Sequence, residues 1–362
     1  MKNTIGNSVA VTLFGESHGE YIGAVIDGLA PGIEVDEEYI GKMLSLRRPD
    51  GEFSTARVEK DEFKIVSGVF GGYTTGTPLT VLIPNTNTIS ADYAKISTLA
   101  RPSHADYTAE CKYHGYQDRR GGGHFSGRVT AALVAVGAIC KYALEKKGIY
   151  IGTHIYKCAG VCDRAMQDLL SDIAALNDKT FAVLDERAEK DMKNAIKTAK
   201  ENGDSVGGVL ETVVIGMSAG VGEPWFDSVE SALSHMLFSI PAVKGVEFGA
   251  GFGIADMLGS NANDAMEIKD GKVVTATNNS GGINGGITNG MPLIFRTAIK
   301  PTPTIYKAQN TVDYTTMNSA TLTANGRHDP AIVQRARIVQ DTATAIVLCD
   351  MLAQRFGTDY LK

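Results

Sequence analysis

Three short segments of this 362-residue chain bring histidine, arginine and glycine together. In Gly15-Glu16-Ser17-His18-Gly19, flanking glycines allow a sharp turn and bring Ser17 and His18 close to a ligand. Arg101-Pro102-Ser103-His104-Ala105-Asp106 is a turn carrying a cation, an imidazole and a carboxylate. Asp118-Arg119-Arg120-Gly121-Gly122-Gly123-His124-Phe125-Ser126-Gly127-Arg128 opens an apolar helical stretch, and amides at a helix N-terminus favour phosphate. Its spacing is neither the dinucleotide fingerprint nor a P-loop: Ser126 takes the place of the last glycine, and no Gly-Lys-Ser/Thr follows. The theme returns at Ala242-Val243-Lys244-Gly245, in the glycine-rich residues 280–287, at Lys300-Pro301-Thr302-Pro303-Thr304, and at Gly326-Arg327-His328-Asp329-Pro330. One loop histidine is ordinarily a surface group and one glycine run a bulged turn; the recurrence argues for chemistry.

The charge pattern narrows that chemistry. Net charge is −6, against a general affinity for nucleic acid, yet Arg47, Arg48, Arg57, Arg101, Arg119, Arg120, Arg128, Arg327, Arg335 and Arg337 fall beside glycines, prolines and histidines. An acidic protein with local arginine clusters suits a small polyanion. Ser17 also matches the Gly-x-Ser-x-Gly elbow of serine hydrolases, but an elbow is followed by a helix, and residues 21–26 read as a strand. A Ser17 hydrolase and a non-catalytic flavin or phosphometabolite binder are the alternatives.

The elements that must position these groups read as follows. Strands are expected at residues 9–14, 21–26, 63–70, 78–83, 208–215, 245–248 and 292–299. Helices are expected at 36–46 with Asp36 as cap, at 126–147 with Ser126 as cap, at 228–238 and at 332–356. Residues 163–202 read as a charged helical excursion, interrupted near Asp178 and solvated. Strands and helices cluster without alternating, which favours an α+β fold of antiparallel sheets with packed helices. The order of elements in the two halves hints at duplication within a single domain. Composition, 43% apolar and 21% charged, is that of a globular protein. No run of about 18 apolar residues and no secretory leader is evident, so a cytoplasmic protein without membrane contact is expected. The five cysteines form no CxxC pair and read as structural.

Together, Gly15 to Gly19, Ser280 to Ile287, Lys300 to Thr304 and Gly326 to Pro330 resemble chorismate synthases, in family order over nearly the whole chain. The resemblance implies an α+β fold and elimination of phosphate from 5-enolpyruvylshikimate 3-phosphate, with reduced FMN and no net redox change. It implies His18 and His104 as proton-transfer residues, with Ser17, Ser126 and Asp329 assisting the flavin. Arg47, Arg48, Arg57, Arg101, Arg128 and Arg327 would hold the substrate's anionic groups. His124, Phe125, Ser126, Ala242, Gly285, Lys300, Pro301, Thr302, Pro303, Thr304 and Arg327 would hold the cofactor, and no metal is expected. A homotetramer is implied, with NADPH only an indirect source of electrons, supplied through a separate flavin reductase. Many relatives carry Arg-Ser-Ser-Ala-Arg where this chain has His124 to Arg128, and a basic residue near Phe53.

Overall fold

The computed structural model describes residues 2–48, 60–86, 98–323 and 329–362. In its first half, β1 (Thr4–Ile5), β2 (Ala10–Gly15) and β3 (Tyr21–Asp27) precede helix α1 (Glu37–Arg47). Then come β4 (Lys64–Ser67), β5 (Leu79–Pro84), α2 (Asp106–Tyr113) and α3 (Thr130–Lys146). The second half runs through β6 (Tyr150–Cys158), β7 (Val161–Cys162), α4 (Leu169–Asn177), α5 (Glu186–Glu201) and β8 (Gly208–Ile215). It ends with α6 (Val229–Ser239), β9 (Val243–Phe248), β10 (Leu293–Ile299) and α7 (Val333–Phe356).

Two five-stranded sheets result, ordered β1-β2-β3-β5-β4 and β9-β10-β8-β6-β7, with antiparallel pairing throughout. The succession β3-α1-β4-β5-α3, with α2 inserted before α3, recurs as β8-α6-β9-β10-α7, and in both halves the last of the three strands lies between the other two. This repetition gives the hint of duplication a topological form. Helix α3 packs on β3 and β5, α7 packs on β6 and β8, and the two helices lie against each other between the sheets. The close crossing depends on Gly137, where a Cβ would stand 2.6 Å from the Thr342 carbonyl oxygen. Residues Gly127–Lys146 are long and apolar enough to cross a membrane, but 89% of that stretch is buried inside the protein, as a core helix between two sheets would be.

Sequence patterning locates most of these elements, with four differences. Asp36 caps α1 as expected, but Ser126 caps a single 3₁₀ turn (Gly127–Val129) that feeds α3. The expected strand at 63–70 breaks at Gly68, where φ is +82° and a Cβ would strike Leu79. The excursion at 163–202 is not merely solvated: α5 buries Ala188, Met192 and Ile196, and Asp163, outside any helix, is buried against His154. Strands β1, β6 and β7 and helix α2 were not expected from the pattern.

β6 belongs to a row of ions across the second sheet, in which His154 stands opposite Glu211, Glu211 opposite Arg296, and Arg296 opposite Glu247. His154, fully buried, has Nδ1 2.7 Å from Asp163 Oδ2 and Nε2 3.2 Å from Glu211 Oε1. Arg296 Nε donates to Glu211 at 2.6 Å and its guanidinium lies 4.9 Å from the Tyr156 ring centre. Burial alone would lower the His154 pKa, but the two carboxylates outweigh it and raise it.

Candidate active site

The loop between β2 and β3 carries Ser17 and His18, and the glycine loop closes directly over it. Ser17 N–H donates to Gly123 O at 3.1 Å, its Oγ lies 3.1 Å from His18 Nδ1, and the same hydroxyl reaches Arg120 O at 3.2 Å and Gly121 O at 3.1 Å. His124 Nδ1 donates to Gly15 O at 2.8 Å, since a carbonyl oxygen only accepts. Gly121 has φ +61°, and a Cβ there would stand 2.0 Å from His18 Cε1, so only glycine fits. The loop's carbonyls therefore face Ser17, which is fully buried. A buried serine followed by strand β3 is not a nucleophile elbow.

Beside this turn lies a buried ionic set. Asp61 accepts from Arg47 NH2 at 3.2 Å and closely from Arg128 NH1. Arg128 also donates through Nε to Asn85 Oδ1 at 3.0 Å and through NH2 to Pro84 O at 3.1 Å. Arg335 donates to Arg47 O at 3.0 Å and to Asp329 at 2.6 Å, and Arg48 NH2 donates to Lys60 O. Burial would raise the Asp61 pKa, but Arg47 and Arg128 hold it below the usual carboxylate range. Arg47, desolvated and beside Arg335 and Arg128, is lowered to about 10 and remains a cation at neutral pH. Among the described residues its buried Nε has no partner, nor has that of Arg48. Among the described residues, Arg47 and Arg128, both buried, and the half-buried Arg48 and Arg335 thus gather around two carboxylates, a surplus of positive charge suited to an anionic ligand.

The second histidine sits in a different set. His104 Nδ1 donates to Pro102 O at 3.1 Å, leaving Nε2 to accept from Thr304 Oγ1 at 3.0 Å. Burial and the charge of Arg101 lower its pKa to about 4, with Lys300 acting in the same direction. Arg101 is clamped by Asp106, through Nε and NH2 at 2.8 Å each. Lys300 Nζ donates to Ser103 O at 2.7 Å and its backbone N–H to Ala242 O at 3.0 Å. Burial and nearby Lys244 lower the Lys300 pKa. Thr302 Oγ1 is buried without a partner among the described residues.

The structure therefore gathers Ser17, His18, Gly121 to His124, Ser126, Arg47, Arg48, Arg128 and Asp329 into one region, and Arg101, His104, Ala242 and Lys300 to Thr304 into another. They are linked: Thr302 O accepts from Ser205 Oγ at 2.6 Å while Pro330 O accepts from Val206 N at 2.8 Å. Phe125 meets Tyr113 of α2 edge-on, with ring centres 6.0 Å apart. Gly285 lies in a small hairpin whose Gly286 O accepts from Val229 at the start of α6. Arg57, Arg327 and Phe53 lie outside the described residues. Asp61 and Asn85 were missed from the sequence, because neither stands in a motif and both act by bonding arginines remote in sequence.

Two histidines, a surplus of guanidinium groups over carboxylates among the described residues, and glycine turns define an enzyme that handles a small, multiply charged anion. The chorismate synthase family profile matches residues 9–353. The chain is 48% identical to chorismate synthase of Pyrococcus abyssi and 45% identical to that of Thermococcus kodakarensis, each over 97% of both chains. It is 42% identical to chorismate synthase of Dehalococcoides mccartyi, over 99% of this chain and 98% of that one. A crystal structure of chorismate synthase superposes with a TM-score of 0.75 at 29% identity, covering 98% of this chain and 94% of the other. The chain belongs to the chorismate synthase family. Its activity is the family's, a lyase reaction that eliminates phosphate from 5-enolpyruvylshikimate 3-phosphate to give chorismate, and it requires a flavin.

Proposed function

We propose that the substrate's phosphate and carboxylates seat on the arginine set around Asp61, and that reduced FMN lodges against Ala242 and residues 300–304. The observation that carries the substrate half is the surplus of guanidinium groups over carboxylates among the described residues, where the buried Arg47 Nε meets no partner. For the cofactor half, the orphaned Thr302 hydroxyl and the mutually repelling Lys300 and Lys244 suit a polar, anionic ligand. When bound, reduced FMN supplies reversible electron donation to an elimination whose C–H is too weakly acidic for a side-chain base alone.

The two histidines divide the proton work. His18, on the turn tied to the arginine set, protonates the departing phosphate. His104, bonded to Thr304, holds or delivers a proton at the flavin. It is neutral when ligand-free, and an arriving anion would offset Arg101 and Lys300 and raise its pKa. Ser17 orients His18, and Asp329 is held by Arg335. We take the chain to work as a single catalytic unit within a cytoplasmic homotetramer. A separate reductase supplies its reduced FMN and NADPH enters only as an electron source; the family likeness supports this.

Anaerobic assay of phosphate release tests the reading: release requires reduced FMN, and release without flavin overturns it. Binding of substrate and flavin with no release would favour a non-catalytic binder.

A further inference from the structure

The turn carrying Ser17 and His18 is held by more than the glycine loop. Asn85, the residue after β5, donates its backbone N–H to Glu20 O at 3.0 Å. Its Nδ2 donates to Glu16 O at 2.9 Å and Gly19 O at 2.8 Å, while its Oδ1 accepts from Arg128 Nε at 3.0 Å. The partners fix the amide's orientation, because arginine only donates and main-chain carbonyls only accept. Arg128 is in turn bonded to Asp61, Asp61 to Arg47, and the Arg47 carbonyl to Arg335, which holds Asp329. One neutral side chain thus joins the end of the anion-binding set to both ends of the histidine turn.

We infer that Asn85 is a positioning residue for the elimination: it fixes the His18 turn relative to the arginine set, so that an anion seated on the guanidinium groups meets the His18 imidazole in register. The inference rests on the reading that His18 passes a proton to phosphate. The side chain must accept at one atom and donate twice at the other. Asn85→Asp keeps the size and the acceptor for Arg128 but turns an oxygen toward two carbonyl oxygens, repelling the turn. Asn85→Ala removes all three side-chain bonds.

The test is steady-state kinetics with saturating reduced FMN, on enzyme whose fold and flavin binding are checked by circular dichroism and flavin titration. Both variants should lower kcat roughly 10- to 100-fold, as expected for a displaced proton donor. KM should stay within about three-fold of wild type, because the arginine set itself is retained. In a His18→Ala background, Asn85→Asp should cost less than about three-fold, since the group it positions is gone. Wild-type kcat in Asn85→Asp would overturn the inference. So would an equal loss with and without His18, which would show that Asn85 acts on something else. If Asn85→Ala does not fold, the near-isosteric aspartate carries the test. Wild-type kcat in His18→Ala itself would instead overturn the proton-transfer reading, and this inference with it.

Discussion

The first sheet's histidine turn and the second sheet's ionic row both bury charge, and they resolve it differently. Around His154 the carboxylates of Asp163, Glu211 and Glu247 meet Arg296 and the imidazole, and Asp163 also accepts the Leu184 and Asp185 N–H groups at 2.8 and 2.9 Å. That row holds more carboxylates than cations, yet each carboxylate is paired within it or accepts main-chain N–H groups, and its histidine is pushed toward the protonated form. Around Asp61 the guanidinium groups outnumber the carboxylates among the described residues, and buried donors stand without partners there. In the second region of the site, His104 lies among Arg101 and Lys300 and is pushed toward the neutral form. A buried ionic group that satisfies itself is architecture, whereas one left with a surplus of one sign and with unpartnered donors is completed by a ligand of the other.

The largest expected effects separate the two kinds of histidine. His18→Ala and His104→Ala should each lower turnover by about two to four orders of magnitude in the anaerobic assay. His154→Gln should leave turnover of the folded enzyme within about three-fold of wild type, because none of its partners belongs to the candidate site. A loss in His154→Gln matching that of His18→Ala would break the distinction. Next comes Asp61→Asn, which leaves Arg47 and Arg128 facing each other in a dry site and should cost about 3–5 kcal/mol of stability in urea unfolding. Inorganic phosphate should recover part of that loss and chloride at equal ionic strength should not. Equal behaviour in the two salts would mean that the cluster has no preference for a phosphate-like anion.

A smaller effect tests the geometry of the turn. Gly121→Ala demands φ +61° of a residue that avoids it and drives a methyl into the His18 ring. Turnover should fall roughly 10- to 100-fold through displacement of His18, with unchanged affinity for flavin by fluorescence titration. Gly122→Ala shares a positive φ of +88° but meets nothing closer than Ser126 Cβ at 3.9 Å, so it reports the backbone strain alone. If both variants behave alike, contact with His18 is not what Gly121 is there to allow.

What the sequence disclosed follows from how each element announces itself. Helix α3 was legible because it is apolar along most of its length, α7 because apolar residues dominate its second half, and β2, β3 and β5 because apolar residues recur within them. β6 was not, because Thr153 and His154 put polar groups on both faces of a buried strand, with the Thr153 hydroxyl bonded to Asp341 and Thr212 and the His154 ring to Asp163 and Glu211. Such a strand is satisfied only by partners distant in sequence, so its hydropathy carries no period. The site shows the same division. Glycines and histidines at close spacing named its loops, whereas Asp61 and Asn85 acquire their meaning from arginines that the fold brings to them.

The smallest expected effect is a pair of pH slopes in stability that mirror the two environments. His104 has a folded pKa lowered to about 4 from an ordinary 6.5, so its contribution is fully present above pH 6.5 and is lost as pH falls toward 4, where the unfolded chain takes the proton and the folded one resists it. His154 is shifted upward, so its contribution is fully present below pH 6.5 and is lost as pH rises through its folded value. Each slope is bounded by one proton, about 1.4 kcal/mol per pH unit. Urea unfolding at successive pH values should show that His104→Asn flattens the curve between pH 4 and 6.5 and leaves the alkaline side alone. His154→Gln should do the reverse. The groups facing His104 are Arg101, Lys300, Asp106, the Pro102 carbonyl and Thr304, so neutralising Lys300 as Lys300→Met should weaken the acid slope without abolishing it, burial remaining the larger cause. An acid slope that survives His104→Asn unchanged would mean that another group takes up that proton, and the opposition between the two histidines would fail on its acid side.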